Sequence, residues 1–162
     1  MSQSEMTIAI NPYNRLMLLA GANTRFNIDT VTNHGTYYSN SAGTSWSGKD
    51  KSPGITFYGS DPSVGIDKAG TAYYNALDAN ELNAWQLKLW KSVNGGNSWI
   101  PLGWVPSAID PDKNHITIDV GPSQFVNRVY IGYTDFGDAN SSPPYDVWIS
   151  KYTSSAPPIS IS

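Results

Sequence analysis

A chain of 162 residues with 40% apolar and 14% charged side chains can bury one core and has the composition of a single globular domain. Its net charge of −3 and scattered Lys and Arg residues exclude the basic stripe of a nucleic-acid-binding surface, so no nucleic-acid partner is expected. The absence of cysteine excludes a disulfide framework, a thiol nucleophile and a Cys-based zinc site; with only His34 and His115 as imidazoles, neither a metal nor a cofactor is expected.

The opening residues, MSQSEMTIAI, lack the basic region, long apolar stretch and small-residue cleavage site of a secretion signal. Within them MTIAIN, from Met6 to Asn11, alternates apolar and polar positions as a strand does. RLMLLAG from Arg15 is the next strand; the apolar run it contains, LMLLAGA, is too short to cross a bilayer, so no membrane span is expected. A third run, GTYYS from Gly35, leads into the turn YSNSAGTSW.

The same succession then repeats. PSVGID (Pro62 to Asp67), TAYYNAL from Thr71 and LKLWKS from Leu87 lead into KSVNGGNSW. HITIDV (His115 to Val120), RVYIGYT from Arg128 and DVWISK from Asp146 follow. Ile10, Ile66 and Ile118 stand 56 and 52 residues apart, and short β-rich runs broken by Gly, Pro, Asn and Asp carry no competing helical period.

Four antiparallel strands in a unit of about fifty residues are the arithmetic of a β-propeller blade. The expected architecture is therefore all-β: one propeller segment over residues 1–162, with blade one at about 5–58, blade two at about 61–107, a partial blade three at about 112–155 and a tail at 156–162. Inner strands are buried on both faces between blades, which suits the small Ala9, Gly65 and Thr117 among larger Ile and Val residues. About two and a half blades cannot close a ring of four to eight, so open strand edges and apolar faces are expected at the ends, with Ile8, Ile10, Ile116 and Ile118 near them.

The two turns share Ser39 with Ser92, Ser41 with Asn94, Gly43 with Gly96 and Trp46 with Trp99. Ser41 and Asn94 are expected to accept N–H bonds from two residues on, the glycines to take positive φ, and the tryptophans to fold back as apolar staples. This pattern resembles the Asp-box, or bacterial neuraminidase repeat, Ser-x-Asp-x-Gly-x-x-Trp, of sialidase-like β-propellers, with Ser41 and Asn94 replacing the name-giving Asp. The resemblance runs over roughly Glu5 to Ser154, and SDPSVGID and GTAYYNAL look like inner-strand segments of that superfamily. It implies that these turns are structural, joining strands three and four opposite the ligand face, and it favours an extracellular or cell-surface setting.

The opposite face gathers the loops before strand one and between strands two and three. Glu5, Asp61, Asp112, Asn114 and His115 stand at the starts of the inner strands, and Asn23, Arg25, Asp29, Asp78, Glu81, Asp135 and Asp138 stand in the other loops. The principal ligand-face candidates are Arg25, Asp61, Asp78, Glu81, Asp112, His115 and Asp135. Carboxylates and amides with flat aromatic faces suit sugar hydroxyls and rings, and Trp85, Trp104, Phe136 and Tyr145 are the candidate platforms.

Sialidases of the resembled fold clamp a substrate carboxylate with three arginines and use a Tyr–Glu pair and an Asp. The arginines here are Arg15, Arg25 and Arg128, of which only Arg25 falls on the expected face, and the Arg-Ile-Pro signature is absent. A complete sialidase site is not expected, and no catalytic residue is assigned. DPDKN from Asp110 begins like a calcium loop, but His115 stands where that loop needs Gly. The function expected is a non-catalytic carbohydrate-recognition or interaction scaffold, with a glycan ligand and with self-association or additional blades as partners. The alternatives are a fragment of an exo-sialidase-like glycoside hydrolase whose other catalytic residues lie elsewhere, and an assembly protein joined through open blade edges.

Overall fold

The structure, a computed structural model, describes residues 2–25, 32–55, 59–79, 84–105, 110–137, 146–153 and 156–161. Among them every regular element is a strand, and no helix is long and apolar enough to cross a membrane. The first sheet is built in chain order from β1 (Ser2–Ile10), β2 (Leu18–Arg25), β3 (Thr32–Ser39) and β4 (Ser47–Lys49). The second follows as β5 (Gly59–Ile66), β6 (Ala72–Ala79), β7 (Trp85–Ser92) and β8 (Ile100–Trp104). The third comprises β9 (Pro111–Ile118), β10 (Val129–Asp135), β11 (Asp146–Thr153) and β12 (Ala156–Ile161). All pairings are antiparallel, and β5 packs between β1 and β9. The sheets are consecutive blades of a propeller arc with β1, β5 and β9 innermost.

The difference from the sequence reading lies at the C-terminal end, where residues expected to form a tail supply β12 and complete the third sheet. Pro157 and Pro158 hid it, because proline cannot donate to a ladder. As an edge strand β12 pairs on one side only, and both prolines fall at the register shift between Lys151 and Thr153.

The core is two apolar layers between sheets. Met17 and Leu19 of blade one meet Val64, Ile66, Tyr74, Trp90 and Trp99 of blade two. On the other side of blade two, Tyr73, Leu77, Leu87 and Leu89 meet Val129, Ile131, Tyr133 and Tyr152 of blade three. Sheets approach this closely only where a side chain is missing: a Cβ on Gly21 would lie 3.0 Å from the Tyr74 ring, and one on Gly65 would lie 2.9 Å from Ile118. Ile116 and Ile118 therefore face blade two and are packed against its core, whereas Ile8 and Ile10 are exposed on the open side of blade one. Only the second pair lies at an open end.

Both turns before the outer strands close through side-chain oxygens. The Ser39 hydroxyl accepts from the N–H groups of Ser41 and Gly43, and Ser92 accepts from those of Asn94 and Gly96. Ser41 and Asn94 accept from Ser45 and Ser98, four residues on rather than two, because Ser39 and Ser92 have already taken the nearer donors. Gly43 and Gly96 hold φ of 84° and 97°, which favours glycine.

The two tryptophans differ. Trp99 is 4% exposed, lies edge-on to Tyr74 and donates from Nε1 to Thr36 Oγ1 of blade one at 3.2 Å. Trp46 folds back to donate to the Gly43 carbonyl at 3.1 Å but is 44% exposed, since among the described residues no sheet covers that face of blade one. The expected staple is realised at Trp99 and not at Trp46. Trp99→Ala is expected to cost about 3–5 kcal/mol, and Trp46→Ala about 1 kcal/mol or less. Denaturant unfolding of both variants measures the difference, and equal losses would contradict the assignment of the staple to one turn.

Candidate functional site

Each inner strand carries a left-handed residue at the same place. Glu5, Asp61 and Lys113 have φ of 50°, 55° and 54°, and the ladders to β2, β6 and β10 shift register there. Non-glycine residues at positive φ inside strands are held only by their surroundings, and a bulge turns the affected side chain away from the regular alternation. Because β1, β5 and β9 are adjacent, the three bulges gather at one mouth of the propeller axis.

A cavity of about 240 Å³ opens there, lined by Glu5, Thr7, Asp61, Lys113, Asn114 and His115 among others. Lys113 Nζ lies 3.7 Å from both Asp61 Oδ2 and Asp112 Oδ1. The Asp112 carboxylate also accepts the Lys113 N–H at 2.7 Å, and Glu5 Oε2 accepts from Asn23 Nδ2 at 2.9 Å. Beneath the mouth, buried Asn114 donates to Asn75 Oδ1 at 2.8 Å, while the Ile116 N–H donates to Ser63 Oγ at 2.8 Å. These bonds fix β9 to blade two, and with it the backbone that carries Asp112 and Lys113.

The electrostatics are those of one coupled group. Loss of water pushes the Asp112 carboxyl above its ordinary value and a hydrogen bond with Asp61 pushes it further, against the pull of the Lys113 N–H and ammonium. The Lys113 ammonium is held above its ordinary value chiefly by Asp61, then by Asp112 and Glu5. Carboxylates from all three blades thus act on one cation. The cluster offers acceptors at Glu5, Asp61 and Asp112 and donors at Lys113.

Of the principal candidates, Asp61, Asp112 and His115 come together here, His115 as an exposed residue on the rim. Asp78 is buried with Lys88 Nζ at 3.4 Å, and Lys88 lies over the Trp90 and Trp104 rings, so both are parts of the blade. Asp135 Oδ1 accepts the N–H groups of Asp110 and Gly137 at 3.0 Å and closes a turn. Arg25 is an exposed residue at the end of β2, in register with Ser2 and Thr32, and does not line the cavity. Glu81 lies outside the described residues, as do Asp29, Asp138 and Tyr145. Trp85 and Phe136 are exposed at the strand ends on the mouth side, whereas Trp104 is half-buried beside Lys88. Lys113 was missed, although it stands 52 residues after Asp61 in the repeat, as Asp61 stands 56 after Glu5.

No protein-family model matches the chain, and no curated protein matches it in sequence. Solved structures do match in fold. A protein of unknown function from Dyadobacter fermentans aligns with a TM-score of 0.60 at 10% identity, over 94% of this chain and 51% of that one. A glycosyl hydrolase from Bacteroides ovatus aligns with a TM-score of 0.59 at 10% identity, over 99% of this chain and 49% of that one. The class is thus an all-β propeller arc, a fold it shares with these two structures. The chain spans about half the length of the structures it matches.

The Asp112 carboxyl is raised on folding, so the folded chain keeps its proton to higher pH than the unfolded chain. Its contribution favours folding in acid and is lost as pH rises from the ordinary value of 3.8 through the folded one. Asp112→Asn is expected to raise the melting temperature at pH 7, to change it little near the acid end of that window, and to flatten the slope between. Thermal melts across the window measure this, and a wild-type slope in the variant would rule out the coupling.

Proposed function

We propose that the chain is a non-catalytic carbohydrate-recognition segment that takes the hydroxyl groups of a glycan at the axial mouth. The observation that carries this reading is the convergence of three inner-strand bulges on one cavity, which brings carboxylates and an ammonium within reach of a single small ligand. Vicinal hydroxyls each donate and accept, and acceptors at Glu5 and Asp61 beside the Lys113 donor fit that demand. Exposed Trp85 and Phe136 on the same side offer apolar faces to sugar rings further out. The resemblance of the Ser39–Trp46 and Ser92–Trp99 turns to Asp-boxes, and the fold shared with a glycosyl hydrolase, support the same ligand class and an extracellular or surface setting. The rest of the ring comes from further blades or from self-association.

A second reading, part of a glycoside hydrolase, is favoured by the raised carboxyl of Asp112 beside Asp61, an acid next to a carboxylate. Both carboxyls are paired with the Lys113 ammonium, each at 3.7 Å from its Nζ, and the turnover assay below decides between the two readings. An assembly role through the open blade faces draws on the exposed Ile8, Ile10 and Trp46 and is compatible with glycan binding.

Titration of intrinsic tryptophan fluorescence, or a glycan array, is expected to find an oligosaccharide whose binding weakens on the order of tenfold to a hundredfold in Asp61→Ala. Fluorogenic glycosides, sialosides included, are expected to remain intact. Turnover abolished by Asp112→Asn would move the assignment to the hydrolase reading, and binding unaffected by Asp61→Ala would move it away from the mouth.

A further inference from the structure

The two junctions inside the chain are built alike, and each joins two different faces. The leading face of blade two, with Val64, Ile66 and Trp99 at its centre, is buried against blade one. Its trailing face, with Leu87 and Leu89, is buried against blade three. At the ends of the arc the corresponding positions are open. In blade one Ile8 and Ile10, which match Val64 and Ile66 in the register of the inner ladder, are 62% and 57% exposed; Ile8 lines a groove of about 450 Å³ with Trp46, Met6, Ala20 and Tyr37. In blade three Val147 and Ile149 match Leu87 and Leu89 in the next ladder and are 80% and 50% exposed. Apolar surface of this kind on a sheet face calls for a covering layer.

We propose that a second copy of this chain covers both ends, the leading face of blade one in each copy packing on the trailing face of blade three in the other. The junction already used twice within the chain is the template, so nothing but the same blade-on-blade packing is needed. Three blades are half of a six-bladed ring, which lies within the four to eight that propellers close with. A two-fold axis along the propeller axis makes the head-to-tail contact twice and leaves no face over, so assembly stops at two. The ring would also bring two copies of the Glu5, Asp61 and Lys113 mouth to one axis; this consequence alone rests on the carbohydrate-recognition reading.

Light scattering coupled to size exclusion, on the 162-residue chain at high micromolar concentration, is expected to give twice the 17.6 kDa of one chain. Ile8→Lys and Val147→Glu, both at exposed positions, are each expected to weaken association on the order of a hundredfold while circular dichroism remains that of the wild type. Mixing the two variants is expected to restore the dimer, because one junction of the mixed pair is then wild-type on both sides and the other sets Lys against Glu. A folded wild-type monomer would overturn the proposal, as would a larger open polymer or a dimer sensitive to Ile8→Lys but not to Val147→Glu. The mass of the wild type needs no variant to fold. Glycan titration of the same samples separates the two readings: a monomer that binds sugar removes the dimer alone, and a dimer that binds none removes the mouth assignment alone.

Discussion

Everything in this structure depends on face-to-face packing of successive four-stranded sheets. A twisted antiparallel sheet with apolar residues on both faces is stable only when both are covered, and in a propeller each blade covers its neighbour. Among the described residues blade two is the one sheet covered on both sides, and it holds the most completely buried side chains, among them Tyr74, Trp90, Leu87 and Leu89. The contrast between Trp99 and Trp46 follows from the same condition. Two turns of nearly the same sequence and hydrogen bonding place one indole in a core and the other on a surface, because only one has a blade to lie on.

The same packing explains how strain at the mouth is sustained. Holding Glu5, Asp61 and Lys113 in the left-handed region costs on the order of 1 kcal/mol or more at each. The backbone on either side is held by ladders to β2, β6 and β10, and β9 is tied to blade two through Asn114 and Ser63. Straightening one bulge would shift that strand by a residue and turn Ile8, Val64 or Ile116 to the wrong face. A feature repeated in all three blades, at equal φ and at one mouth, is part of the blade plan. What varies is the side chain it presents, an acid twice and then a base.

Those parts of the fold that depend on near neighbours in the chain were legible in the sequence. Alternation of apolar residues marked β1, β2, β3 and their counterparts, and the short side chains of Ser39 and Ser92 marked the turns before the outer strands. β12 was hidden because an edge strand need not satisfy the rules of an interior one, and Pro157 and Pro158 sit where the ladder is already interrupted. The site was only half legible. Asp61, Asp78 and Asp135 look alike as carboxylates near strand ends, yet Asp78 finds Lys88 diagonally across the hairpin and Asp135 is consumed by two backbone N–H groups. Neither fate can be read without the register of the ladder. Lys113 could have been found by placing the three inner strands on one another, where it occupies the position of Glu5 and Asp61.

The proposed ring closure would bear directly on the chemistry of the mouth. In the open arc the ion pairs of Lys113 with Asp61 and Asp112 are 3.7 Å contacts with an exposed ammonium, and water screens such pairs to about 0–1 kcal/mol. Three carboxyl groups share that one cation, and the loss of water around Asp112 holds its carboxyl above the ordinary value. Covering the free face of blade one removes solvent from the side of Met6 and Thr7, next to Glu5, and lowers the local dielectric. Each unmatched acceptor then costs more, and a ligand that donates hydroxyl protons to Glu5 and Asp61 while accepting from Lys113 gains more. The layer proposed to bury Ile8 and Ile10 would thus also make the mouth more discriminating toward the proposed hydroxyl-rich ligand, since hydrogen bonds to that ligand gain as water is excluded.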